Sequence, residues 1–120
     1  MTCHEVTGAD TATALGSGDV PVLGTPRLIA WMESATVRSA AQFLAAGQTT
    51  VGVAVRIEHL RATCVGGSIG VTATPPPDAV GRRLTFLVQA TDSSGRLVAT
   101  GEIDRVIVDR ERFLAASILA

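Results

Sequence analysis

Three side chains stand out among those whose types move protons or attack electrophiles: Thr25, Glu33 and His59. Glu33 is the one acid in the apolar-rich stretch from Thr25 to Gly47. Desolvation disfavours an ionised carboxylate, which tunes such a group as a base. The competing reading is a solvated glutamate at the margin of a packed helix stripe. His59 continues the register of Val51, Val53, Val55 and Ile57, so it should point with the valines toward the helix. An imidazole there can carry a proton near neutral pH, or it can be a satisfied core residue. Thr25 stands before Pro26. Its hydroxyl can cap a helix, orient a neighbour, or attack. Gly52 interrupts the valine strand; it leaves room for a ligand or for the helix, or it marks a bulge or crowded contact. His4, near the start, is assigned no role.

The totals bound what these groups can serve. With 120 residues the chain has the size of a single domain covering 1–120. Hydrophobic content is 47% with three Phe, one Trp and no Tyr, so the core must be built from Val, Leu, Ile and Ala. Net charge is −1, which gives no footprint for a nucleic-acid partner. All 10 basic residues are Arg. The absence of Lys excludes a Schiff-base lysine and a Walker lysine, and leaves arginines for phosphate or carboxylate binding. Cys3 and Cys64 have no metal-site or CxxC spacing and read as reduced thiols of a cytoplasmic protein. No leader pattern and no long apolar run stands out, so the expectation is a soluble chain with no membrane partner and no metal.

The elements that must position the three residues follow from periodicity. Thr25 as N-cap, Pro26 at the first helical position and Gly47 as a left-handed close predict one long helix. Leu28, Met32, Ala35, Ser39 and Phe43 form its packed stripe. Before it, Glu5-Val6-Thr7 could begin an edge strand, and Gly16–Pro26 is an ordered loop. Four strands are expected after it: Thr49–Thr63, Ile69–Ala73, Arg83–Thr91 and Leu97–Val108. Gly66-Gly67, Pro75-Pro76-Pro77 and Asp92–Gly95 separate them. Imperfect alternation predicts a bulge near Gly101. Arg110–Ala120 is a short helix or a tail. Short links between consecutive strands predict an antiparallel meander, and the helix is the element available to cover its apolar face. The fold class is α+β, an antiparallel sheet wrapped around one long helix.

That arrangement resembles the hotdog fold. Three stretches are similar to the thioesterases related to fluoroacetyl-CoA thioesterase: GSGDVPVLGTPRLIAWMESA, TTVGVAVRIEHLRATCVGG and RVIVDRERF. The resemblance runs from about Ala12 to Phe113. It implies acyl-CoA thioester hydrolysis by a Thr, Glu and His set, which falls on Thr25, Glu33 and His59. It also implies that Gly52 lies close to the acyl group. Asp19 occupies a loop position where a fluoroacetyl-specific enzyme carries an aromatic over the acyl pocket. Selectivity for fluoroacetate therefore does not transfer.

Thioester hydrolysis needs a nucleophile or activated water, a proton carrier and donors for the developing oxyanion. Glu33 would be base or nucleophile, His59 the proton carrier or charge stabiliser, and Thr25 a hydroxyl that orients or attacks. No cofactor is needed beyond the coenzyme A of the substrate. Arg61, Arg82, Arg83 and Arg110 are candidates for its phosphates, although a solvated strand-edge arginine is the commoner fate. Eight residues of helix span roughly 12 Å, so Thr25 and Glu33 cannot touch along a regular helix. Either Thr25 folds back ahead of the helix, or groups from two subunits converge. The resemblance implies the second, since hotdog proteins usually form dimers with paired sites at the interface. Two other classes stay open: a non-catalytic acyl-CoA or hydrophobic-ligand binding protein, and a hotdog enoyl-CoA hydratase, although no hydratase-type Asp and His five residues apart is present.

Overall fold

The computed structural model describes residues 1–118. The chain runs β1 (Thr2–Glu5), a 3-10 turn at Gly8–Asp10, α1 (Ala12–Leu15), α2 (Thr25–Ala40), a 3-10 turn at Ala41–Phe43, β2 (Gln48–His59), β3 (Ser68–Thr74), β4 (Arg83–Asp92), β5 (Leu97–Asp109) and α3 (Arg110–Ser117). Of the expected C-terminal helix or tail, Leu119 and Ala120 lie outside the described residues. None of the described helices is long and apolar enough to cross a membrane.

The helix forms as its stripe requires. Leu28, Met32 and Ala35 are buried against Ile69, Val71, Leu84, Phe86, Val88 and Ile103 of the sheet. Fully burying each large apolar side chain contributes roughly 1.5–3 kcal/mol, and this stripe fixes the helix over the sheet. Its start differs from expectation. Gly24, extended at φ −76°, is the N-cap, and Thr25 is already helical. Glycine suits position 24 because an added Cβ would lie 3.1 Å from the Ala12 backbone nitrogen. Pro26 then falls in the first turn, where an N–H would have had no helical partner. The helix ends at Ala40, so Gly47 does not close it; its φ of 80° serves the turn into β2 instead.

All strand pairs are antiparallel, but the sheet order is β1-β3-β4-β5-β2. Only β3, β4 and β5 form a meander. Strand β2 pairs with β5, not with its sequence neighbour β3. The link after His59 is too firmly tied to act as a hairpin: Leu60 N–H donates to Val98 O, Leu23 N–H to Thr63 O, and Val6 N–H to Gly67 O. It ends β2 at His59, short of the expected Thr63, and carries β3 to the far side of the meander. There β3 also receives β1, which occupies Thr2–Glu5 rather than starting at Glu5. His4 of β1 stacks on Trp31 of α2, ring centroids 4.5 Å apart.

The valine strand is not evenly alternating. Gly52 pairs with Arg105 and Ala54 with Asp104, so Val53 is bulged out. The bulge shifts phase: Gly52, Val55, Ile57 and His59 face the helix side, opposite Arg105, Ile103, Gly101 and Ala99, while Val51 pairs with Val106 on the other face. No bulge lies at Gly101, which pairs in register on both sides. Glycine is needed there because a Cβ would run into the Arg56 carbonyl.

On the outer face Asp104 is 3% exposed and ties three strands together. Arg56 of β2 donates to both its oxygens at 3.0 and 3.2 Å, and Arg83 of β4 donates to Oδ2 at 2.6 and 3.2 Å. These guanidinium bonds, led by those from Arg56, hold its carboxyl down to about 2 against a desolvation effect of opposite sign. A depressed carboxylate stabilises the fold above its unfolded-state pKa and loses that contribution as pH falls through the folded value. Asp104→Asn should therefore cost about 1–3 kcal/mol in urea unfolding at pH 7. The difference from wild type should shrink between about pH 4 and pH 2. An equal unfolding midpoint at pH 7 would rule this clamp out.

Candidate functional site

The start of α2 meets the end of β2. Because Gly24 makes the cap, the Thr25 hydroxyl is not engaged by helix backbone. It lies 2.8 Å from His59 Nδ1. The β2 bulge is what turns His59 onto the helix side to receive it. His59 Nε2 is buried with no partner among the described residues. Burial lowers the His59 pKa below the ordinary histidine value, with the Arg61 backbone opposing it. A neutral imidazole beside a hydroxyl can accept its proton or orient it. The geometry suits either role, since the tautomer sets which atom donates.

Midway along the helix a second group forms. Glu33 is half-buried, and its Oε2 lies 3.8 Å from Arg105 Nη1. A Cβ at Gly52 would stand 2.8 Å from the same Oε2 and 3.4 Å from that Nη1. The carboxylate and the guanidinium thus both lie over the bare backbone of Gly52, and a side chain there would push the Glu33 carboxylate out of this position. Arg105 is buried, donating from Nε to Thr50 Oγ1 at 2.8 Å and from Nη2 to Thr50 O at 3.2 Å. Its desolvation is opposed by the Glu33 charge.

Thr25 with His59 and Glu33 with Gly52 are therefore two clusters on one chain. Helix α2 is continuous from Thr25 to Ala40, so Thr25 does not fold back ahead of it. Glu33 remains roughly 12 Å further along by helical rise. Arg105 and Thr50 are the residues that sequence reasoning missed. A signal existed: Arg105 shares the phase of Ile103 and Ile107, so an arginine on the apolar face of β5 was readable from alternation alone.

The remaining candidates divide. Asp19 is exposed on the loop between α1 and α2. Arg61 is exposed and lines a surface groove with His59, Leu60 and Ala62. Arg82 lines another with Val108, Asp109, Arg112 and Phe113. Arg83 is committed to Asp104, which removes it as a free phosphate ligand; Arg110 is exposed at the start of α3. Among the described residues no cluster of His, Cys, Asp and Glu could hold a metal ion.

A curled antiparallel sheet around one central helix defines the hotdog fold. A hot-dog-like protein from Thermanaerovibrio acidaminovorans superposes with TM-score 0.85 at 24% identity, over 96% of this chain and 84% of that one. The chain belongs to the FlK family, fluoroacetyl-CoA-specific thioesterase, whose family pattern matches residues 6–111. The crystal structure of the fluoroacetyl-CoA thioesterase FlK superposes with TM-score 0.86 at 28% identity, covering 96% of this chain and 88% of that one. Fluoroacetyl-CoA thioesterase of Streptantibioticus cattleyicolor is 33% identical over 94 residues, which is 78% of this chain but 66% of the relative.

A histidine with a lowered folded-state pKa gains its proton later than the unfolded chain does, so its contribution to stability is complete above the unfolded pKa and is lost as pH falls. NMR titration of the His59 ring should give a midpoint below 6.5, the ordinary histidine value. A midpoint at or above that value would contradict the buried, neutral imidazole.

Proposed function

We propose that the protein is an acyl-CoA thioesterase, hydrolysing an acyl-CoA thioester to free acid and coenzyme A. The observation that carries the reading is the hydroxyl–imidazole pair of Thr25 and His59 in a chain of the fluoroacetyl-CoA-specific thioesterase family. Water adds at the thioester carbonyl, the C–S bond breaks, and the thiolate takes a proton. In this reading His59 carries that proton and Thr25 orients or attacks. Glu33 serves as base or nucleophile, and Gly52 leaves space for the acyl group. The reaction balances with water alone. Arg61 and Arg82 are the proposed contacts to the coenzyme A phosphates, and Asp19 lies on the loop proposed to flank the acyl group. The two exposed, unpaired thiols, Cys3 and Cys64, suit a reducing cytoplasm.

A homodimer is part of the same proposal. Strand β2 is a 12-residue edge strand with one hydrogen-bonding side open, the kind of edge that pairs with another chain. Beside it Val37, Val53 and Val55 are 49%, 48% and 41% exposed. A second copy docked there would cover these valines and bring a second site close, offering the route by which Thr25, His59 and Glu33 could converge across subunits.

Thiol release from a panel of acyl-CoAs tests the activity. Glu33→Gln and His59→Ala should each lower turnover by at least about a hundredfold, as expected for general acid–base groups; folded variants with near-normal rates would overturn the assignment. Saturable acyl-CoA binding without thiol release would favour a binding protein, and water addition to crotonyl-CoA a hydratase. Light scattering at micromolar concentration should give a dimer or larger; a monomer would contradict the shared-site arrangement.

A further inference from the structure

The link from β2 to β3 crosses one end of the sheet, and the surface along it is hollowed twice. The first hollow is the groove of His59, Leu60, Arg61 and Ala62. The second, about 230 Å³ in volume, opens between the link and the β4–β5 hairpin, with Thr63, Cys64 and Ser68 on one side and Ser93 and Arg96 on the other. Ala62 lines both, so they form one trench that starts at His59 and ends at the hairpin. Backbone bonds hold its floor. Leu60 N–H donates to Val98 O at 2.7 Å, Leu23 N–H to Thr63 O at 2.8 Å, and Gly67 N–H to Cys64 O at 3.0 Å. A surface fixed in this way needs little reordering to receive a ligand, which lowers the entropic cost of binding.

The far end of the trench is polar and cationic. Thr63, Ser68 and Ser93 supply hydroxyls, and Thr63 Oγ1 is buried with no partner among the described residues. Arg96 is the cation. Asp92 engages it through one guanidinium nitrogen, Oδ2 accepting from Nε at 2.9 Å. The other oxygen, Oδ1, accepts from the backbone N–H groups of Ser94 and Arg96 at 2.9 and 3.0 Å. The carboxylate is thus taken up by its own turn, and the two terminal nitrogens of the fork stay free to reach a ligand. Arg61, beside Ala62 where the hollows meet, is exposed. Two guanidinium groups spaced along a trench with hydroxyls suit an elongated ligand that carries phosphates.

We propose that the phosphate-bearing nucleotide end of coenzyme A lies in this trench, with Arg61 and Arg96 as its cationic contacts, while the thioester sits at Thr25 and His59. The proposal rests on the acyl-CoA thioesterase reading. It adds Arg96 and gives the coenzyme a direction, from His59 past Leu60 and Ala62 to the hairpin. Arg82 precedes the opposite end of β4, so a coenzyme following the trench reaches Arg96 and not the Arg82 of its own subunit. Selection of coenzyme A as the acyl carrier is made in the trench and not at the reacting groups.

Paired substrates separate this from an effect on chemistry: an acyl-CoA, and the acyl-pantetheine that carries the same acyl group without the nucleotide. With acyl-CoA, Arg61→Gln and Arg96→Gln should each raise KM by about fivefold to tenfold, as loss of a charge-assisted bond to phosphate does. Their kcat should stay within about twofold, the mark of lost uniform binding. With acyl-pantetheine both variants should match wild type. An unchanged KM for Arg96→Gln with acyl-CoA, or an equal loss with acyl-pantetheine, would rule the trench out. Arg96→Gln keeps both backbone bonds to Asp92, so the hairpin is expected to fold. Calorimetric titration of coenzyme A supplies a readout independent of turnover. Wild type should bind it, and Arg96→Gln should bind at least about fivefold more weakly; no binding, or equal affinity, would sink the idea. Wild-type protein that releases no thiol from any acyl-CoA would refute the thioesterase reading instead, leaving that titration to decide the coenzyme site.

Discussion

The seating of helix α2 in the concave face of the sheet is the constraint from which the other features follow. Leu28, Met32 and Ala35 pack into a floor of Ile69, Val71, Leu84, Phe86, Val88 and Ile103. Close-packed interiors of this kind tolerate little sliding. With the helix fixed, its start is held against the end of β2 and its middle against the start of β2 and the middle of β5. The Thr25–His59 contact and the Glu33–Gly52–Arg105 group are two points along that one seam. Neither needs a dedicated loop, so both rest on the most rigid part of the molecule.

How the charges are handled follows the same seam. Arg105 is buried between helix and sheet, where an unpaired cation would be costly, and Thr50 with Glu33 make it tolerable. Asp104, one residue away, is directed to the opposite face by strand alternation and finds two arginines there. The sign of each group is suited to its face, and exchanging the two residues would leave both without partners.

The helix, its buried stripe and the strand spans were readable because each depends on local periodicity. The sheet order was not, since the partner of β2 is decided by a link whose tethers to Val6, Leu23 and Val98 are long-range in sequence. Alternation in Val51–Ile57 was read straight through the bulge at Val53; Gly52 marked a bulge as one alternative, but the evenly spaced valines favoured an unbroken strand. Of the site, Thr25, Glu33, His59 and Gly52 could be picked out by residue type and position. Thr25 was nonetheless misread as the cap, because Gly24 caps without offering a side chain and owes its identity to close contact with the Ala12 backbone, which nothing local reveals. Arg83 was counted among free cations because nothing local reveals that Asp104 lies across the ladder.

The stacking of His4 on Trp31 has a spectroscopic consequence. The chain has 1 Trp and 0 Tyr, so its intrinsic fluorescence comes from one indole wedged between the terminal edge strand and the helix. That chromophore reports first on whether β1 is docked. A 4-residue strand at the sheet edge tends to open at lower free energy than the core. An optical melting curve would therefore register detachment of β1 at least as early as collapse of the site, and a far-ultraviolet signal would be needed beside it to follow the sheet itself.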